Sequence, residues 1–88
     1  MEIKKEFIAD LANRLIAAGG TMTGQNLVDE LNLNGHLTSY GTQYAGGRGV
    51  FRLIHATYDS LVAEGRQLEA DDVADAFTDA YGHPAWDK

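Results

Sequence analysis

Residues 35–52, GHLTSYGTQYAGGRGVFR, hold five of the chain's ten glycines. Each glycine inside a helix costs about 0.5–1 kcal/mol relative to alanine, so no continuous helix crosses this stretch. It therefore divides the 88 residues into two parts, each with room for two short helices. Two of the four tyrosines and two arginines, Arg48 and Arg52, also lie here.

A chain of 88 residues buries roughly 60–65% of its surface, enough for one core. Residues 1–88 are accordingly expected to form a single small domain, with residues 82–88 as a C-terminal tail. The 44% hydrophobic content and single proline fit a globular chain. With no cysteine, disulfides and thiolate metal sites are excluded. The opening MEIKKEFIADL has no apolar run of signal-peptide length, and no segment approaches ~20 apolar residues. A cytoplasmic protein with no membrane partner is the expectation.

The net charge of −6 is unevenly spread. Residues 1–66 carry seven acids and six bases, net −1, whereas residues 67–88 carry six acids and Lys88, net −5. The body is thus nearly neutral, and an anionic partner is disfavoured mainly by the last quarter.

Hydrophobic spacing places the helices. Ile3, Phe7, Leu11 and Leu15 recur every four residues, widened by Ile8, Ala12 and Ile16, and Lys4 and Lys5 fall off that stripe. Gly19-Gly20 ends this first helix. Thr23 is the N-cap of a second helix, Gly24 to Leu33, which turns Leu27, Val28 and Leu31 inward and closes at Asn34-Gly35. Thr38, Tyr40, Thr42 and Tyr44 alternate as β-formers around Gly41, predicting a small hairpin turning near Tyr40-Gly41. A third helix over about Arg48 to Glu64 aligns Val50, Ile54, Tyr58 and Leu61, with Phe51 and Val62 in the next row. Gly65 stops it. The fourth runs from about Glu69 to Tyr81, with Val73, Phe77 and Tyr81 inward. The fold class is α+β, mostly helical: four helices with a small β-hairpin between helices 2 and 3.

Gly46-Gly47-Arg48-Gly49 is the best chemical candidate. A glycine turn at a helix start exposes N–H groups, and Arg48 adds a forked donor, with Arg52 one turn further on the same side. The competing structural reading is a tight connection into the helix. The pattern is neither GxxxxGK[ST] nor GxGxxG, so no nucleotide cofactor is implied. His36, His55 and His83 lack metal-site spacing. His55 and Asp59 stand at i, i+4 and can pair on a helix face. Ser39 and Ser60 sit in no nucleophile motif, so no catalytic residues, metal or cofactor are assigned and an enzyme is not expected. Asp71, Asp75 and Asp79 repeat at i, i+4, i+8 with Asp72 beside them. They form either a solvated face or an acidic strip for a basic partner. Tyr81, Pro84 and Trp86 make the tail aromatic, suited to packing back or to anchoring a partner.

The run Leu27-Val28-Asp29-Glu30-Leu31-Asn32, then Gly35, Leu37-Thr38, Gly41 and Tyr44, followed by a helix, resembles the helix–wing–helix stretch of the recombinase domain of large serine recombinases. The resemblance covers residues 27–58. It implies a winged-helix-like shape with Arg48, Arg52 and the hairpin facing DNA, and it implies binding rather than recombination. The chain is similar as well to small accessory proteins of phages and other bacterial mobile elements.

Two partners therefore stand open. One is DNA, or a DNA-processing complex, met through Arg48, Arg52, the Gly46-Gly47 turn, Tyr40, Thr42 and Tyr44. The alternative is an acidic protein-interaction module, an inhibitor or nucleic-acid mimic, acting through Asp71, Asp72, Asp75, Asp79 and Trp86.

Overall fold

The structure is a computed structural model that describes residues 2–36, 38, 40–44 and 48–78. Among these, four helices and two short strands follow in the order α1 (Glu2–Ala17), β1 (Met22–Thr23), α2 (Gly24–Leu33), α3 (Arg48–Ala63), α4 (Gln67–Ala76) and β2 (Phe77–Thr78). The architecture is mostly helical α+β, as the sequence patterns predict.

Three of the helices end in the same way. Gly19, Gly35 and Gly65 adopt φ of 75°, 76° and 75°. The residue after each then donates its N–H five residues back: Gly20 to Leu15, His36 to Leu31 and Arg66 to Leu61. This left-handed cap satisfies carbonyls that the helix ends would otherwise leave open. At the start of α2, the Thr23 hydroxyl accepts the N–H of Asn26 at 3.2 Å, the N-cap bond expected of a threonine there.

The core gathers Ile8, Leu27, Leu31, Ile54, Leu61 and Phe77, each fully buried. α1 packs chiefly on α4, and α4 on α3. Leu27, Val28 and Leu31 are buried as predicted, and so are Val50, Ile54 and Leu61, while Tyr58 is half-buried. Thr57 is buried among them, its hydroxyl donating to the Leu53 carbonyl at 2.8 Å, which removes the penalty of a polar group in the core.

Four expectations need correction. In α1 the fully buried face is Lys5, Ile8, Ala9 and Ala12, while Phe7, Leu11 and Leu15 are only half-buried and Ile16 is exposed. The helix is rotated so that small residues face inward, and Lys5 goes in with them. In α3 the second row lies at the rim, Phe51 half-buried and Val62 exposed. α4 stops at Ala76, not Tyr81, because Phe77 turns extended at φ −110°, ψ 133°. Tyr81 itself lies outside the described residues.

The fourth correction is the hairpin. None of the described residues between 36 and 44 is in a strand. Instead Met22 pairs with Phe77 and Thr23 with Thr78 in a two-stranded parallel sheet, so β1 precedes α2 and β2 follows α4. The chain does turn near Tyr40-Gly41, with the Gly41 N–H donating to the Thr38 carbonyl at 2.9 Å, and the Thr38 side chain adds to the closure. Thr38 Oγ1 accepts the N–H groups of Tyr40 at 3.2 Å and Thr42 at 3.3 Å, and the Thr38 N–H donates to the Thr42 carbonyl at 2.8 Å. Threonine hydroxyls offer the backbone this alternative to a strand ladder.

Candidate nucleic-acid interface

Tyr44 is tied down by α2 and α1. Asn32 donates Nδ2 to the Tyr44 carbonyl and accepts the Tyr44 N–H through Oδ1, both at 2.9 Å. The Lys4 ammonium stands 5.4 Å above the Tyr44 ring, within cation–π range. Nearby in the chain, the His36 ring stacks obliquely on Phe7 with centroids 4.7 Å apart. The stretch from His36 to Tyr44 is therefore anchored at His36 and at Tyr44. Tyr40, at the tip of the turn, is 91% exposed, and Thr42 is exposed beside it.

α3 begins four residues after Tyr44, at most ~14 Å of extended chain. Its outer face carries a shallow groove of about 480 Å³ lined by Phe51, Arg52, His55, Ala56 and Asp59. Four of these are exposed and Phe51 is half-buried. The ring of Phe51 also closes on α2: a Cβ added at Gly24 would lie 2.8 Å from its Cζ, so any larger residue there would have to displace the ring.

The cations divide into two groups. Arg66 grips Glu6 through both terminal nitrogens, at 2.7 and 2.9 Å, and reaches Glu64 at 3.1 Å and Glu69 in the first turn of α4. Lys5 pairs with Glu64, and Arg14 with Asp10. Hydrogen bonds from Arg66 hold the Glu6 and Glu69 carboxyls below the usual range, and bonds from Lys5 and then Arg66 do the same for Glu64. In return Glu6, Glu69 and Glu64 raise the Arg66 guanidinium further above its ordinary value. Each of those three cations pairs with an acid, Arg14 on the open surface, while Lys4 stands over the Tyr44 ring. Arg52, by contrast, is exposed and makes no ion pair among the described residues.

Of the expected interface residues, the structure thus exposes Arg52, Tyr40 and Thr42 and half-buries Tyr44. Gly46 and Gly47 lie outside the described residues, and for Arg48 only its place at the start of α3 is described. On the acidic side, Asp71 and Asp72 are half-buried. They accept hydrogen bonds from Gln67 at 2.9 Å and Asn13 at 3.4 Å. Asp75 is exposed, and Asp79 and Trp86 lie outside the described residues.

The Lys5–Glu64–Arg66 cluster was not anticipated. The available signal is spacing: residues 5, 8, 9 and 12 share one helix face, and a lysine there carries a four-carbon stem able to line it. Among the described residues, no group of three or more His, Asp or Glu side chains could hold a metal ion, and no helix is long and apolar enough to cross a membrane. No protein-family model, curated protein or solved structure matches this chain.

Proposed function

We propose that this chain is a non-enzymatic binding module that presents α3 and the loop before it to the phosphates of duplex DNA, as an accessory to a DNA-processing complex of a bacterial mobile element. The observation that carries the reading is the division of cations. Lys5, Arg14 and Arg66 each pair with an acid, whereas Arg52 stands exposed on α3 with no ion pair among the described residues. Arg48 is one helical turn earlier, and the turn bearing Tyr40 and Thr42 precedes it. The Thr38–Thr42 turn takes the role that the resemblance to recombinase domains gives to a wing.

Charge limits the affinity. Asp59 borders the same groove, so the phosphate footprint is confined to the first turns of α3. Two or three phosphate contacts give a log–log salt slope of roughly −2 to −3. Binding is expected at about 50 mM salt and is expected to fade by about 0.15 M. Phosphate contacts alone carry no sequence information, so no operator follows from them.

A fluorescence-anisotropy titration against random duplex DNA at several salt concentrations tests the reading. Arg48→Ala and Arg52→Ala should each weaken binding uniformly and flatten the slope by roughly one unit. Arg52→Ala should leave stability within about 0.5 kcal/mol, since the residue is exposed. Absence of binding by the unmodified chain at about 50 mM salt would remove DNA as partner. The acidic reading would then lead, supported by the −5 balance of residues 67–88 and the exposure of Asp75. Its mark is capture of a cationic partner that Asp75→Lys abolishes and Arg52→Ala leaves intact.

A further inference from the structure

Asn34-Gly35 is the only Asn-Gly pair in the sequence. An asparagine before glycine is the asparagine most open to attack by its own backbone, because no Cβ shields the glycine nitrogen. That nitrogen gives its proton to base and bonds to the asparagine Cγ; the Cγ–Nδ2 bond breaks and ammonia leaves. Water then opens the five-membered succinimide at either carbonyl. The product is aspartate, or isoaspartate with an extra methylene in the backbone. Water is the only co-reactant.

Both residues are exposed, so water and hydroxide reach them. The fold nevertheless holds them in an unreactive geometry. At Asn34 ψ is 9°, which sets the Gly35 nitrogen beside the Asn34 backbone nitrogen. Cα is tetrahedral, so the Gly35 nitrogen cannot also lie over Cβ, where the ring must close. The Gly35 N–H donates to the Asn32 carbonyl at 3.1 Å, and Asn34 Nδ2 donates to the Glu30 carbonyl at 2.8 Å. The His36 N–H, donating to Leu31 at 2.9 Å, completes the cap. Ring closure therefore requires the α2 cap to open, the kind of local unfolding that helix ends undergo far more often than whole domains.

We propose that Asn34 is a self-modification site gated by the α2 cap, converting to aspartate or isoaspartate only from the opened state. Conversion then keeps the cap from closing as before. The new carboxylate cannot donate to the Glu30 carbonyl, and it stands at a helix C-terminus, where the dipole disfavours negative charge. The extra methylene of isoaspartate shifts Gly35 out of register with Asn32. Asn32 also clamps the Tyr44 backbone, so the change reaches Tyr44. The chemistry involves no partner, and its test contains no nucleic acid.

The full chain and a free peptide of residues 30–40 are aged in mildly alkaline buffer, each with and without urea. Peptide mapping reads the mass gained when NH2 is replaced by OH, and electron-based fragmentation distinguishes isoaspartate from aspartate. The native chain should convert at Asn34 before Asn13, Asn26 or Asn32, severalfold more slowly than the peptide. In urea the two rates should match. A native rate equal to that of the peptide would overturn the gating. Earlier conversion at another asparagine, or none at Asn34 over many half-lives of the peptide, would overturn the site. The converted chain gains a negative charge and separates by anion exchange. Its Tyr44 amide should exchange hydrogen severalfold faster than in the unmodified chain, and Asn34→Asp isolates the share of the carboxylate. Equal exchange in the converted and unmodified chains would overturn the coupling to Tyr44.

Discussion

Lys5 is the residue that departs furthest from expectation. Its side chain is 1% exposed, while its partner Glu64 keeps 38% of its own in solvent. The stem therefore fills core volume beside Ile8, Ala9 and Ala12, and only the ammonium reaches an edge where a carboxylate meets it. Burying a charge is costly unless it is paired, and a pair at the rim gains little beyond neutralising that cost. Packing should then dominate the effect of substitution. Lys5→Ala is expected to destabilise by about 2–5 kcal/mol, as when other long buried side chains are truncated. Lys5→Met keeps the volume and drops the charge, and should stay within about 1.5 kcal/mol of the unmodified chain. Urea unfolding of the two variants separates the contributions. Equal losses would make the ion pair, rather than the stem, the important part. The residue was legible only as a position: i, i+3, i+4 and i+7 from Lys5 are Ile8, Ala9 and Ala12, but charge led to its placement outside.

At the level of elements, the informative event is the end of α4. Nothing in the run DDVADAFTDAY breaks a helix, and Phe77 fits the i+4 row from Val73. Yet Phe77 leaves the helix, pairs with Met22 across the β1–β2 ladder and becomes fully buried. Two residue pairs of sheet are marginal alone. The favourable term is the aromatic burial, in a strand that also contacts α2. Phe77→Ala should cost about 3–5 kcal/mol. In a domain of this size each kcal/mol lowers Tm by about 4–8 °C, so the variant should melt far below the unmodified chain. Leu68→Ala, at a site 83% exposed, serves as the control and should change stability by less than about 0.5 kcal/mol. A Phe77→Ala variant that melts with the control would contradict the role given to β2. The predicted hairpin failed for a related reason. The alternation of Thr38, Tyr40, Thr42 and Tyr44 was real, but the Thr38 hydroxyl and the Asn32 amide satisfy the backbone that a second strand was expected to pair.

Across the whole molecule, one ion network joins α1, the end of α3 and the start of α4 through Glu6, Lys5, Glu64, Arg66 and Glu69. It gives the fold an acid limit. The three carboxyls are held below their ordinary values in the folded chain, so the unfolded chain binds protons first as pH falls. Their contribution is complete above the unfolded carboxylate value of about 4.3, and is lost as pH drops through the depressed folded values. Tm should thus be flat with respect to these groups between about pH 7 and pH 5 and decline below about pH 4.3. Arg66→Gln should make that decline shallower, because it removes the group that depresses two of the three carboxyls most. Raised salt should weaken the same contribution, since Glu6 and Glu64 are exposed. An acid limb as steep in Arg66→Gln as in the unmodified chain would separate the network from acid sensitivity.

Local chemistry alone determined where α1, α2 and α3 lie. Glycines at 19, 35 and 65 cap three of them, Thr23 starts α2, and the Val50–Ile54–Leu61 row turns α3 inward, because each signal acts within about one helical turn of the residue that carries it. The exposure of Arg52 follows from the same periodicity. Only the tertiary structure decided which face of α1 is buried, where α4 stops and which cations remain unpaired. Those outcomes depend on partners that spacing along the chain does not identify: Arg66 meets Glu6 sixty positions away, and Phe77 meets Met22 across three intervening helices. Arg66 and Arg52 carry the same guanidinium, and packing of the helices placed one among three carboxylates and left the other on an open face.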